Sequence, residues 1–400
     1  MFEKTVILYK NAYSGLSRST WLLSFVMLVN RSGTMVIPFM TIYLTQPAMG
    51  YSIGQAGIVM GLFGLGAVCG GLLGGRMTDR FGFYPVQLVT LSGGGILFIL
   101  LGQMKQFPLI CIFTFLLSLI NDAFRPANST AIAHYSKEEN RTRSYSLNRL
   151  AINLGWAIGG AIGGLLASIN YHLLFWVDGC TNILAAILLR YFLSPANNPH
   201  GHPQKLSVKA TVLSPYRDRT YILFITLTAL YGICFFQLFS TMPVYYKQVL
   251  HLPEYLIGLL MALNGGLIAL FEMALVYKLE GKRPNLYYIG RGIFIVGLSF
   301  LLLELLPPFP LTAAIFTLLV TLAEISSMPF MNSFWVSRTT AVNRGQYAGL
   351  YTIAWSVAQV IGPAGGSQLV EYFGYSVLYW VMGALSIIAS IGFWRLQQSA

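Results

Sequence analysis

Apolar runs of about 20 residues recur along the whole 400-residue chain, separated by short polar or basic segments. A helix of that length spans about 30 Å, the thickness of a bilayer's hydrocarbon core. A water-soluble chain could not cover so many runs, because 56% of the residues are hydrophobic and only 10% charged, against about 25% charged in an average globular protein. The pattern predicts an all-α membrane protein with twelve transmembrane helices. The expected spans are 21–44, 53–75, 86–104, 109–135, 144–169 and 173–192, then 221–245, 255–277, 286–306, 311–336, 347–370 and 377–396.

A net charge of +12 would suggest nucleic acid in a soluble chain, so the placement of the basic residues decides. Most fall at the termini or in alternate loops, among them Lys4, Lys10, Arg18, Arg76, Arg80, Lys137, Lys205, Lys209, Lys282, Arg283 and Arg395, whereas the other loops hold only Lys105 and Lys247. By the positive-inside rule both termini are cytoplasmic, and the charge is a topology signal, not a nucleic-acid footprint. Residues 1–19 lack a short apolar core followed by a small-residue cleavage site, so the first span is expected to remain as an anchor. Cys69, Cys111, Cys180 and Cys234 lie within spans at no metal-ligand spacing and are expected to be small buried hydrophobes. His200 and His202 sit in a polar stretch without a third ligand and read as a solvated loop, so neither a metal nor a cofactor is expected.

That polar stretch, 194–219, carries Pro195, Pro199, Pro203 and Pro215 and divides the chain nearly in half. The sequence also matches itself across it. Pro126 meets Pro329, Asn140-Arg141 meets Asn343-Arg344, Gly159 meets Gly362 and Gly163 meets Gly366, all at an offset of 203. After a one-residue shift, Leu174-Phe175-Trp176-Val177 meets Leu378-Tyr379-Trp380-Val381. Six spans separate the copies, which therefore share one membrane orientation. The expected organisation is two six-helix bundles, 1–193 and 220–400, related by a parallel duplication and joined by a cytoplasmic linker, 194–219.

The segment after the second span reads Gly75-Arg76-Met77-Thr78-Asp79-Arg80-Phe81-Gly82-Phe83-Tyr84-Pro85. It resembles the loop motif of the major facilitator superfamily, Gly-x-x-x-Asp-Arg-x-Gly followed by two basic residues. Gly75, Asp79, Arg80 and Gly82 match, while Phe83 and Tyr84 replace the basic pair. Glycines permit a tight turn, Asp79 can sit against a helix N-terminus and Arg80 against carboxylates or carbonyls, so the loop is expected to act as a conformational latch. The alternative is an ordinary charged turn. In the fifth span, residues 155–164 are similar to the glycine-rich signature of the superfamily's antiporters, with Gly160 at the usual proline; the eleventh span keeps Pro363. Gly155, Gly159 and Gly163, with Gly362, Pro363 and Gly366, would let helices approach closely, either for rocking bundles or for tight packing alone. Asn30-Arg31-Ser32-Gly33 and Phe124-Arg125-Pro126-Ala127 resemble the first and fourth helices of the drug:proton antiporter group.

An ionisable side chain in mid-membrane costs at least about 2.5–3.5 kcal/mol and needs a partner, water or a task. Arg31, Asp122, Arg125, Glu272 and Glu324 qualify. Asp122 and Arg125 are three apart, on one helical face. The resemblance places helices 1 and 4 of each bundle along a central cavity, which would bring Arg31 to the same carboxylate. Proton coupling is expected there, with a fixed ion network as the alternative. Glu324 repeats the position of Asn121. Asn30, Arg31, Asn121, Tyr231, Phe235, Gln237, Asn264, Trp335 and Trp355 are candidate substrate contacts, the aromatics by stacking or by holding a cation. Arg149, Asp178, Arg291 and Glu304, nearer helix ends, are expected to snorkel.

The resemblance implies a proton-coupled secondary transporter in a bacterial-type inner membrane, a monomer bathed in lipid and working by alternating access on a small molecule, exporting amphiphilic compounds. The alternatives are a proton-coupled importer of a small polar metabolite and, from another class, a membrane-embedded enzyme or lipid-flipping scaffold. No nucleophile elbow, metal-ligand spacing or nucleotide-sized loop favours an enzyme.

Overall fold

The computed structural model describes residues 15–137, 141–193, 214–279, 281–339 and 343–399. Most of the linker, with His200 and His202, and Asn140 of the repeat lie outside the described residues. All regular structure among the described residues is helical. The helices are α1 (Arg18–Ser32), α2 (Val36–Thr45), α3 (Ile53–Phe81), α4 (Phe83–Leu101), α5 (Phe107–Tyr135), α6 (Arg141–Ile169), α7 (His172–Phe192), α8 (Arg219–Phe235), α9 (Thr241–Gln248), α10 (Glu254–Leu279), α11 (Asn285–Leu305), α12 (Pro310–Ser337) and α13 (Arg344–Ser399). They supply eleven stretches long and apolar enough to cross a membrane. The last of these is bent inside α13 at Gly374, whose φ of 82° and ψ of 174° are not helical.

The chain folds into two compact units, Met1–Val36 with Gly66–Pro199, and Ile37–Leu65 with His200–Ala400. In the first unit, Ser17 caps α1, accepting from the Thr20 amide at 3.1 Å, and donates to the Tyr135 carbonyl at the end of α5 at 2.6 Å. The α1–α6 contact has no room for side chains. A Cβ on Gly155 would lie 2.5 Å from the Arg31 Cβ, and one on Gly159 3.0 Å from the Ser32 carbonyl oxygen. The core between α1, α4, α5 and α7 gathers Leu23, Val26, Met27, Phe83, Phe124, Ile132 and Leu189.

In the second unit, Asp218 caps α8, accepting from the Tyr221 amide at 3.1 Å. The same carboxylate takes a bidentate grip from Arg338, Nε to Oδ2 at 3.0 Å and Nη2 to Oδ1 at 2.9 Å, and a Tyr347 hydroxyl at 3.1 Å. This partly buried clamp ties the starts of α8 and α13 to the end of α12. Gly362 brings α13 against α8, where a Cβ would meet the Ile233 carbonyl oxygen at 3.0 Å. The outer part of α3 belongs to this unit: Gly57 faces Ser367 and the Pro363 carbonyl, and Gly54 N–H and Ser52 Oγ both donate to Glu371.

Two expected spans are not continuous helices. The first is interrupted at Gly33–Met35 between α1 and α2, and the seventh passes through a 3-10 turn, Phe236–Phe239, before α9. In each case proline is the third residue of the second segment, Pro38 in α2 and Pro243 in α9. Proline has no N–H to donate back four residues and its ring clashes with that carbonyl, so the helix restarts just before it, with the proline in the first turn where no donor is needed.

Candidate coupling and substrate sites

In the first unit, α1 and α5 carry Arg31, Asp122 and Arg125. Asp122 is nearly covered, its side chain 7% exposed, and its Oδ1 pairs with Arg125 Nε at 2.5 Å, while the Arg125 side chain is 62% exposed. Ser118 Oγ, one turn earlier, donates to Oδ2 at 3.2 Å. The Arg31 guanidinium interacts electrostatically with both Asp122 and Arg125. Its Nε is fully buried and has no hydrogen-bond partner among the described residues. Asp122 and Arg125 are therefore an ion pair, and Arg31 lies within electrostatic reach of it without an ion pair of its own among the described residues. Of the polar neighbours, Asn30 donates to Asn182 Oδ1 on α7 at 2.8 Å, and Asn121 packs its amide against Gly94 of α4.

The second unit brings together a different chemistry. Asn264 on α10 donates to Glu324 Oε2 at 3.3 Å and to Thr321 Oγ1 at 2.9 Å. Tyr231, fully buried, takes a hydrogen bond from Ser327 Oγ at 3.4 Å and interacts electrostatically with Glu324. Its ring stands edge-on to Trp355 at 5.9 Å, and Phe235 meets the same indole at 5.8 Å. Trp335 stacks on Tyr351 at 5.9 Å, and Tyr351 reaches Trp355 at 6.4 Å. An aromatic wall beside a carboxylate suits a flat, lipophilic or cationic molecule. Gln237 lies apart from this work: its Nε2 donates to the Gly362 carbonyl at 2.8 Å and its Oε1 accepts from Thr241 at 2.9 Å, so its amide ties the break in the seventh span to α13. Glu272 lies two turns beyond Asn264 on α10 and is 6% exposed.

Several placements differ from expectation. Asp178 does not snorkel; it is wholly buried on α7, where the Met35 amide donates to both carboxylate oxygens at 3.0 and 2.9 Å and the Val36 amide to Oδ2 at 2.8 Å. It faces the break in the first span, because the start of α2 offers unpaired N–H groups and a carboxylate there is better satisfied than in apolar surroundings. Cys234 is buried, but Cys69 and Cys111 are half-buried and Cys180 exposed, since a helix surface facing lipid accepts small apolar groups as readily as a core. Arg149 is exposed, Arg291 lies 4.3 Å over the Tyr287 ring, and Glu304 accepts from Ser376 at 2.7 Å. The stretch carrying Asp79 and Arg80 is helix, not turn: α3 runs to Phe81, with Gly75 inside it, and the reversal falls on Gly82 alone at φ 86°. Asp79 and Arg80 are exposed, Arg80 lying 5.2 Å over Phe81.

The sequence profile of the Major Facilitator Superfamily matches residues 20–339 and 277–399. The chain belongs to this superfamily. Among its relatives, a Na(+), Li(+), K(+)/H(+) antiporter of Planococcus maritimus is 23% identical, covering 90% of this chain and 91% of its own length. The multidrug resistance protein MdtH of Yersinia enterocolitica is 22% identical over 91% of this chain and 90% of that one. The class G tetracycline resistance protein of Vibrio anguillarum is 24% identical over 83% and 85%. Among solved structures, a peptide transporter POT in complex with sulfate superposes with a TM-score of 0.79 at 15% identity, over 97% of this chain and 96% of that one. A bacterial homologue of the human lysosomal transporter Spinster gives 0.77 at 14% identity over 94% and 97%. At those identities the structural likeness shows the fold alone.

Proposed function

We propose that this superfamily member is a proton-coupled secondary transporter that exports amphiphilic small molecules by alternating access. The observation carrying the reading is the buried Asp122, held by Arg125 at 2.5 Å beside the Arg31 guanidinium. A carboxylate poised between two cations can change its protonation when either one is drawn away. The Tyr231, Phe235 and Trp355 wall with Glu324 supports a flat or cationic substrate, and the antiporter and resistance proteins among the relatives support export. The reading takes twelve crossings in two bundles, 1–193 and 220–400. In support, α13 has 56 residues, about 84 Å at about 1.5 Å per residue, enough for two crossings, and its bend at Gly374 corresponds to the α6–α7 turn at Asn170 in the shifted repeat register. Both termini and the 194–219 linker face the cytoplasm of a bacterial-type inner membrane, and the transporter is a monomer.

The test is protein reconstituted in liposomes, inside-out with respect to the cell, with an imposed pH gradient and a fluorescent lipophilic cation as probe. Gradient-driven probe movement, accompanied by proton movement in the opposite direction, is expected. Probe movement that ignores the gradient, or that needs protons to travel with the probe, rejects the export reading.

A further inference from the structure

Asp178 stands outside the Arg31, Asp122 and Arg125 cluster and is more deeply enclosed than any of them. Its carboxylate is fully buried and its direct partners are the Met35 and Val36 amides at the restart of the first span. Around it lie neutral polar groups: Asn182 donates to the Asp178 carbonyl at 2.8 Å, Asn30 donates to Asn182, and Thr181 presses against Gly33, where no Cβ would fit. α7 packs against α1, α4 and α6. Their described titratable side chains are Arg18 and Arg31, Tyr84, and Arg143, Tyr145 and Arg149; α2, whose first amide meets the carboxylate, adds Tyr43, and α7 itself adds His172, Cys180, Arg190 and Tyr191. None of these charges interacts with the Asp178 carboxylate among the described residues.

An ionised group without a cation is a costly way to hold a helix end. The chain itself supplies the comparison. The seventh span has the same kind of interruption, with Pro243 placed as Pro38 is, yet it is tied by the neutral amide of Gln237. In the shifted repeat register the residue opposite Asp178 is Met382, which carries no charge at all. A charge is therefore not needed to build such a break.

We propose that Asp178 is a second proton-binding carboxylate, whose protonation controls the break in the first span. This deepens the proton-coupled reading and rests on it. Ionised, Asp178 attracts the Met35 and Val36 N–H dipoles and holds the backbone there in place. A proton taken from water onto either carboxylate oxygen removes that charge, weakens the hold and frees the Gly33–Met35 segment to change shape; release of the proton to water restores it.

The experiment is carried out on purified full-length protein without substrate, so that it is independent of transport direction and of Asp122. Infrared titration of the native protein should show a protonated-carboxyl band that appears as pH falls, is lost in Asp178→Asn and persists in Asp122→Asn. In a background lacking the four native cysteines, a cysteine replacing Thr34 should react with a maleimide several-fold faster, relative to a free thiol at the same pH, as pH falls. In Asp178→Asn, which mimics the protonated form while keeping an acceptor for the cap, that relative rate should be high at every pH. If Asp178→Asn keeps the band and the parent's pH-dependent labelling, Asp178 is a fixed helix cap. Should that variant not fold, a native band that vanishes in Asp122→Asn, Glu272→Gln or Glu324→Gln overturns the proposal equally. A native protein that titrates at Asp178 but moves no protons would instead reject the proton-coupled reading and leave the carboxylate's titration established.

Discussion

On the proposed reading, Asp122→Asn should separate coupling from folding, because the two expected costs are so unequal. The substitution is isosteric, and Ser118 can still donate to the remaining carbonyl oxygen. The lost ion pair is half in the open, since Arg125 is 62% exposed although Asp122 is 7% exposed. Screening limits its contribution to stability to about 1 kcal/mol or less. The functional cost is of another size. One pH unit across a membrane is worth about 1.36 kcal/mol per proton, so a transporter exchanging one proton per substrate holds a roughly tenfold substrate gradient. Without a titrating group at this position the gradient should fall to none.

The assay is a steady-state substrate ratio in liposomes under a fixed pH difference, read beside equilibrium binding of the same substrate. Native protein should sustain the ratio. Asp122→Asn should lose it while binding stays measurable and thermal stability changes little. Arg31→Gln should change the ratio that the gradient sustains while binding stays measurable, because it removes a cation within electrostatic reach of the Asp122–Arg125 pair. A normal gradient response in Asp122→Asn would make the cluster a structural ion network, and the search for coupling would pass to Asp178, Glu272 and Glu324.

Three further outcomes are expected. Asp79→Asn should lower transport rates with little change in expression, because the exposed Asp79 adds nothing evident to the packing of α3; unchanged rates would leave this segment as an ordinary helix end. Arg338→Leu should destabilise the second unit by about 1–3 kcal/mol, between the values for exposed and for buried pairs, and lower the melting temperature, with Asp218→Asn milder because it keeps the cap. Single cysteines at Ser207 and Ala48, in a background without native cysteines, should label from opposite sides of the membrane, and labelling from one side would remove the six-plus-six topology.

Hydropathy made the spans legible because each crossing must satisfy its own backbone, and only a continuous helix of apolar residues does so cheaply. It was blind to what happens inside or just beyond an apolar run. The second span was expected to stop at Gly75, where charges begin, yet α3 continues to Phe81: charged side chains at the water interface do not end a helix, whereas a residue at positive φ does, and that residue is Gly82. The breaks in the first and seventh spans were written in the sequence as Gly33 through Pro38 and Ser240 through Pro243, but an averaging window dilutes one proline among many leucines. Asp122, Arg125 and Arg31 could be grouped because helical spacing fixes the first two on one face and the superfamily resemblance supplies the third. Asp178 could not, because closeness to a helix end says nothing about the face a residue occupies, and it is the face toward α1 that buries this carboxylate. Asp218 was hidden differently. It stands at the end of the polar linker, where charge reads as solvated loop, and only the helix starting at Arg219 turns it into a cap able to collect Arg338 and Tyr347 from far along the chain. An aspartate directly before a long apolar run was the available signal, and the same reading at Ser17 would have found the corresponding cap on α1.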